Sequence, residues 1–152
     1  MHLTGKHTFN ASNETVWNLL MDTDVLTRIT PGITRLEEIE KDKYTAIADV
    51  KMGPVSGSFK GDMEVADKTE PEYFMLKVKQ NSRIGNVSAD VAIHLKNVSE
   101  EETELTFEGD ARLSGLLART GQRVLSGVAN TLTKQFFSAL EEEVEKSKAA
   151  NT

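Results

Sequence analysis

Hydrophobic residues recur at every third or fourth position in the last third of the chain, roughly from Ser114 to Lys148. Because 3.6 residues complete a helical turn, this spacing places them on one face of a helix. The apolar stripe consists of Leu117, Gly121, Val124, Val128, Leu132, Phe136, Leu140 and Val144. Without an internal proline, the segment predicts a single helix of roughly 45–50 Å at about 1.5 Å per residue. Its stripe requires a cover from elsewhere in the chain.

The beginning of the chain alternates between apolar and polar residues with a period of two, which predicts a half-buried strand over residues 3–9. Ser12 or Asn13 is a candidate N-cap for a short helix that ends before Asp22. Asp22 begins a second short helix, and Pro31-Gly32 ends it. The sequence therefore predicts two short helices directly after the first strand.

Residues 33–113 contain about six further alternating segments, separated by short polar turns. Short turns join antiparallel neighbours, so these segments predict a meander. With the first strand beside the last one, the sheet is expected to curl around the long helix. The predicted fold class is α+β, in one domain that spans residues 1–152.

Small residues interrupt the inward faces of the predicted strands, among them Gly57, Gly61, Ala89 and Gly109. One interpretation is that they allow strong sheet curvature and close contact with the helix. The other is that they leave an apolar cavity for a small ligand, and both interpretations can hold together. The residues predicted to line this cavity are Ala48, Val50, Phe59, Gly61, Met63, Leu76, Val78, Val91, Phe107, Leu117, Gly121, Leu125 and Val128.

The mouth of the cavity is expected where the turn 52–55 and the hairpin loop 81–86 approach the start of the helix, near Leu116 and Leu117. Arg83 and Ile84 in that loop are candidates to meet the polar head and apolar tail of a ligand, although a plain surface loop is the favoured interpretation.

Composition excludes several classes of function. The chain has no cysteine, which excludes disulfides, thiolate catalysis and sulfur-ligated metals. Its net charge of −6 argues against nucleic-acid binding. Neither a signal peptide nor an 18-residue apolar run is present, so a cytoplasmic location is expected.

A catalytic or metal-binding set is not evident in the sequence. The three histidines, His2, His7 and His94, lack the spacing of metal ligands, and no cofactor motif occurs. His7 lies on the apolar face of the first strand, where a core histidine with one hydrogen bond is the favoured interpretation. The protein is therefore expected not to be an enzyme. The alternative, a cyclase or hydrolase, needs His7, Tyr44 or Gln80 inside the cavity beside another titratable group.

Several short motifs resemble a known family in sequence and in order. They are Leu3-Thr4-Gly5, Val16-Trp17, Leu19-Leu20-Met21-Asp22, Val25-Leu26, Ile29-Thr30-Pro31-Gly32, Tyr44-Thr45-Ala46, Val50-Lys51-Met52-Gly53-Pro54-Val55, Phe59-Lys60-Gly61, Gly121-Gln122-Arg123 and Gln135-Phe136-Phe137. With them the chain resembles the CoxG family of carbon monoxide dehydrogenase subunits, within the START-like, or SRPBCC, superfamily. The resemblance implies a helix-grip fold, in which a curved antiparallel sheet of about seven strands surrounds a long C-terminal helix.

The same resemblance implies an accessory role beside a molybdenum CO dehydrogenase-type oxidoreductase, with membrane tethering and a quinone- or lipid-like ligand. The acidic segment Glu141-Glu142-Glu143-Val144-Glu145 is unsuited to an anionic bilayer, so only weak membrane association is expected. The favoured hypothesis is a non-catalytic binder of a hydrophobic small molecule. The polyketide cyclase or hydrolase kind of enzyme and a protein–protein adaptor are the alternatives.

Overall fold

Seven strands and four helices make up residues 1–150, the part of the chain that a computed structural model describes. In chain order they are β1 (His2–Phe9), α1 (Asn13–Leu20), α2 (Thr23–Ile29), β2 (Ile33–Glu40), β3 (Lys43–Met52), β4 (Val55–Thr69), β5 (Tyr73–Ser82), β6 (Gly85–Ser99), β7 (Glu102–Leu113), α3 (Gly115–Arg119) and α4 (Gln122–Ala150). This confirms the predicted order of one strand, two short helices, a meander and a long C-terminal helix.

All seven strands form one antiparallel sheet in the order β1-β7-β6-β5-β4-β3-β2. The predicted meander is therefore confirmed, as is the place of β1 at the edge beside β7. In that pair Gly5 lies opposite Phe107. A Cβ on Gly5 would collide with the Phe107 ring, so the glycine leaves room for the aromatic side chain.

Two strand glycines permit the sheet to curve. A Cβ on Gly61 would collide with the backbone oxygen of Lys79, and a Cβ on Gly109 would collide with that of Asp90. Only a residue without a side chain allows neighbouring strands to approach in this way. At both positions the nearest atoms belong to a neighbouring strand and not to the helix, so these glycines serve close strand approach and not the expected helix contact.

The two short helices begin at side-chain caps. Ser12 Oγ accepts a hydrogen bond from the Thr15 backbone N–H at 3.3 Å. Asp22 Oδ1 accepts from the N–H groups of Asp24 at 2.9 Å and Val25 at 3.3 Å. These bonds satisfy backbone donors that have no partner within the helix, which explains why the helices begin where they do.

The main core lies between α1, α2, the C-terminal half of α4 and one end of the sheet. Phe9, Val16, Leu140 and Val144 are at most 1% exposed there. Trp17 is buried as well, and its ring meets that of Phe74 edge-on, with 5.6 Å between the ring centroids. Trp17 therefore anchors α1 in the core.

The prediction of one unbroken helix from Ser114 to Lys148 is wrong. Helix α3 ends at Arg119, and Thr120 is extended, with ψ at 134°. The Thr120 N–H donates hydrogen bonds to the Leu116 and Leu117 carbonyls, which ends α3, and α4 begins at Gln122. Thr120 and Gly121 both have low helix propensity, which favours a break in the helix at this point. The apolar stripe continues across the break, but the helix does not.

Candidate functional site

A cavity of about 540 Å³ lies between the inner face of the sheet and α4. The sheet supplies inward-facing side chains, such as Phe59 and Val78, from β3 to β7. The other wall comes from the N-terminal half of α4, where Leu125, Val128 and Leu132 face the cavity. The large apolar lining makes this the main candidate site in the described part of the chain.

The cavity exists because the two halves of α4 pack differently. In the C-terminal half, Leu140 and Val144 are completely or almost completely buried. Leu125, Val128 and Leu132 in the N-terminal half are only half-buried. The backbone of α4 packs mainly against α1, α2 and β1. One half of the helix therefore anchors it, while the other half covers a space that core side chains do not fill.

The predicted lining residues border this cavity, with two exceptions. Those that do are Ala48, Val50, Phe59, Met63, Leu76, Val78, Val91, Phe107, Leu117, Leu125 and Val128. Gly61 does not border the cavity, because a Cβ built on it would point at the backbone of β5. Gly121 does not either, because it lies in the α3–α4 junction with no atom within 4 Å of a Cβ built there. The prediction that Gly121 belongs to the inward face is therefore wrong.

Other lining residues were not anticipated from the sequence. They include Leu20, Leu26, Thr30, Pro31, Ile33, Leu132, Thr133, Phe136 and Phe137. Leu132 and Phe136 already belonged to the predicted helical stripe, so extending the cavity along that stripe would have found them. Leu26, Thr30 and Pro31 lie at α2 or just after it, and only the packing of that helix against the sheet brings them to the cavity.

The segments expected at the mouth do meet. The Leu117 N–H donates a hydrogen bond of 2.9 Å to the Ile84 carbonyl, which ties α3 to the β5–β6 hairpin. Val55, Phe59 and Leu117 form a small buried cluster between these segments. Leu116 and Val124 remain 55% and 43% exposed beside it. These contacts bring the expected segments together, and the cluster fills the space between them.

Few polar side chains line the cavity. Tyr44 is one, and burial raises the pKa of its phenol, with the negative charges of Glu38 and Asp42 adding to the effect. Gln80 is another, and both its amide nitrogen and its amide oxygen are buried without a hydrogen-bond partner among residues 1–150. Buried amides are nearly always hydrogen-bonded, so Gln80 is unusual.

His7 lies outside the cavity lining. Its Nε2 contacts the carboxylate of Glu141, and its ring stacks on Phe137 with 5.2 Å between centroids. The one expected hydrogen bond of His7 is present, but the side chain is 32% exposed, so His7 is a partly exposed residue and not a core histidine. The cyclase or hydrolase alternative therefore loses one of its three candidate residues, while Tyr44 and Gln80 remain beside the cavity.

An ion pair fixes the C-terminal half of α4 to α2. Arg28 donates to the buried Glu143 carboxylate from Nε at 2.8 Å and from Nη2 at 3.2 Å. The hydrogen bond to Arg28 holds the pKa of Glu143 below its ordinary value, and the same bond raises the pKa of Arg28. This bidentate geometry is typical of arginine–carboxylate pairs.

The charges at the two ends of α4 differ in sign. No acidic residue occurs between positions 111 and 140, whereas Glu141, Glu142 and Glu145 follow. Arg83, Arg119 and Arg123 are exposed near the α3–α4 junction and form no ion pair within the described residues. About 24 residues, or roughly 35 Å of helix, separate this basic end from the acidic one.

Within residues 1–150, no helix is long and apolar enough to cross a membrane. In the same range, no group of three or more histidine, aspartate or glutamate side chains is arranged to hold a metal ion.

Solved structures share this architecture. A conserved protein from Geobacillus kaustophilus is 33% identical, with a TM-score of 0.94 and 97% of each chain covered. A START superfamily protein from Mycobacterium smegmatis is 17% identical, with a TM-score of 0.73 over 95% of this chain and 97% of that one. The Zhui aromatase/cyclase from Streptomyces sp. R1128 is 16% identical, with a TM-score of 0.71 over 96% and 94%. The last two likenesses concern the fold alone.

No curated protein matches the sequence significantly. The family model for CoxG, a carbon monoxide dehydrogenase subunit, matches residues 5–145. That match spans β1 to the C-terminal part of α4, including the strands and the helix that surround the cavity. Together with the START-like, helix-grip fold, it confirms the resemblance of the sequence motifs. The chain belongs to the CoxG family of carbon monoxide dehydrogenase subunits.

Proposed function

We propose that this protein is a non-catalytic, cytoplasmic carrier that holds a hydrophobic small molecule, quinone- or lipid-like, between its sheet and α4. The observation that supports this proposal is the cavity of about 540 Å³ with an almost entirely apolar lining. Ligand pockets in proteins typically measure about 300–1,000 Å³ and are lined mainly by hydrophobic side chains. A ligand would replace empty space with dispersion contacts and remove its own apolar surface from water.

The chemistry of the walls favours a neutral ligand. None of the side chains that line the cavity in the described residues is an aspartate, glutamate, lysine, arginine or histidine. A charged group placed there would lose its hydration without gaining an opposite charge, which is costly. The body of the ligand is therefore apolar and uncharged.

The partner follows from the family. The CoxG family is named for a subunit of carbon monoxide dehydrogenase, and an accessory role beside an oxidoreductase of the molybdenum type is the corresponding proposal for this chain. The whole chain, residues 1–152, is proposed as one START-like domain, of which positions 151 and 152 lie outside the described residues.

The enzyme alternative rests on the aromatase/cyclase that shares the fold. Acid–base catalysis requires a titratable group placed in the cavity at a useful pKa. Tyr44 is the one such side chain among the described lining residues, and its pKa is raised further from neutrality. This supports a binding role over a catalytic one.

Binding is tested on the purified protein by organic extraction and mass spectrometry, followed by titration with menadione, decylubiquinone and palmitate. We expect a co-purified apolar molecule, or saturable one-to-one binding of at least one probe. If extraction yields nothing and no quinone or fatty acid saturates, the carrier proposal is wrong. An oxidoreductase that co-purifies in that case would favour the adaptor alternative.

Weak membrane association is proposed through the α3–α4 junction. Exposed Leu116 and Val124 lie beside Arg119 and Arg123 at the basic end of α4, and this combination suits the surface of an anionic bilayer. The acidic residues that argued against a membrane contact are at the opposite end of the helix.

The membrane proposal predicts binding to vesicles of phosphatidylglycerol and phosphatidylcholine, but not to phosphatidylcholine alone. Each basic residue near an anionic surface contributes about 1 kcal/mol to binding. The double variant Arg119→Gln/Arg123→Gln is therefore expected to bind the vesicles roughly 30-fold more weakly, as measured by co-sedimentation. Lys146→Gln/Lys148→Gln, at the other end, is the control with the same change in charge and should bind as the wild type does. Equal loss in both variants would contradict the proposed contact.

A further inference from the structure

Gln80 is the polar side chain of the cavity that the protein leaves unsatisfied. It lies on β5 among apolar lining residues, and neither polar atom of its amide has a hydrogen-bond partner in residues 1–150. On the neighbouring strands it is opposite Gly61 on one side and Val87 on the other. Neither of these residues has a side chain that can donate or accept a hydrogen bond.

An unpartnered amide in this place is costly for the folded protein. Burying a donor or acceptor without a partner forfeits its hydrogen bonds to water, whereas an apolar residue of similar length would lose nothing. The rest of the cavity surface shows that apolar residues are readily accommodated here. A group that enters the cavity and binds the amide would recover the lost hydrogen bonds.

The position of Gln80 along β5 indicates how a ligand would lie. Gln80 is two residues from Ser82, where β5 ends and the hairpin touches α3. Val78, Leu76 and Phe74 follow on the same face towards Trp17, and all three line the cavity. A polar group at Gln80 therefore belongs to the end of the ligand near α3, and the apolar body extends along β5.

We infer that Gln80 binds the neutral head group of an amphiphilic ligand, through a carbonyl or hydroxyl oxygen, and so selects for molecules that carry one. Nε2 donates to a carbonyl oxygen, and Oε1 accepts from a hydroxyl. This inference deepens the proposed function and rests on it. It excludes plain hydrocarbons as preferred ligands, and it excludes lipids whose charged head group would have to enter the cavity.

The test compares two probes with the same methyl-substituted bicyclic skeleton, menadione with two carbonyl oxygens and methylnaphthalene with none. Their dissociation constants are measured by displacement of N-phenylnaphthylamine from wild type, Gln80→Leu and Gln80→Met. The second variant keeps the length of the glutamine side chain. Gln135→Leu makes the same change at an exposed position of α4 that does not line the cavity, and it is the matched control.

We expect wild type and Gln135→Leu to prefer menadione by the same factor. In Gln80→Leu and Gln80→Met, a lost hydrogen bond of about 1.4 kcal/mol corresponds to a roughly tenfold loss of that preference, with methylnaphthalene binding unchanged or tighter. If both probes bind but the preference stays within twofold in both Gln80 variants, the inference is wrong and the carrier proposal stands. If neither probe nor N-phenylnaphthylamine binds wild type, the inference is wrong, and the carrier proposal is wrong with it when extraction, decylubiquinone and palmitate also give nothing.

Discussion

Replacing Val78 and Val91 together with tryptophan is expected to weaken the binding of a quinone probe about 100-fold. Both valines are half-buried on the inner face of the sheet and line the cavity on adjacent strands. Each indole would occupy space that the ligand needs. If each clash costs about 1.4 kcal/mol, within the usual range for overpacking, two of them correspond to a factor of about 100.

The measurement is the dissociation constant of menadione or decylubiquinone, together with the urea midpoint of each variant. Ala92→Trp is the matched control, since Ala92 follows Val91 on β6 but does not line the cavity. It is expected to bind as the wild type does. Because the indoles enter an existing void, the double variant should remain folded. A folded double variant that binds normally would place the ligand elsewhere.

Leu140→Ala is expected to lower the free energy of unfolding by about 3 kcal/mol. Leu140 is 0% exposed and belongs to the main core, where it fixes the C-terminal half of α4. Removing a buried leucine loses its transfer free energy and leaves a cavity, and together these cost about 2.7–5 kcal/mol in comparable cases. The measurement is urea unfolding followed by circular dichroism and by Trp17 fluorescence.

Val124→Ala on the same helix is the control for Leu140→Ala. Val124 is 43% exposed, so its truncation is expected to change the unfolding free energy by no more than about 0.5 kcal/mol. A loss below about 1 kcal/mol in Leu140→Ala, or equal losses in both variants, would contradict the view that only the C-terminal half of α4 anchors the helix.

Leu140→Ala and its control Val124→Ala separate the roles of the two halves of α4. The stability of the fold depends on the C-terminal half, where Leu140 and Val144 are buried and Glu143 pairs with Arg28. The N-terminal half covers the cavity with partly buried side chains. A helix that is firmly held at one end leaves its other end free to yield to a ligand without unfolding the domain.

Local pattern alone determined most of the architecture. Alternation with a period of two specifies which face of each strand is buried, because successive side chains point to opposite sides of a sheet. The short turns then require antiparallel neighbours. Ser12 and Asp22 mark the starts of α1 and α2, since both can accept hydrogen bonds from free backbone N–H groups. The inward positions on β3 to β7 followed from the same parity, which is why most of the residues predicted to line the cavity do border it.

Tertiary structure decided what periodicity could not express. An apolar stripe indicates which side of a segment is buried. It continues across the break at Thr120 and Gly121 because α3 and α4 turn the same side towards the sheet. Gly61 and Gly109 serve the close approach of strands, and only the curved sheet distinguishes that use from the lining of a cavity.

Two features of the site depend on distances between parts of the chain that are far apart in sequence. The cavity forms because the anchored half of α4 holds its other half away from the sheet, a consequence of packing against α1, α2 and β1. The unpartnered amide of Gln80 is recognisable only when every neighbour is known, since a glutamine in a strand normally finds a partner or water. Sequence thus determined the strands, the helices and their inward faces, and the packing of α4 across the sheet decided that these faces enclose a cavity.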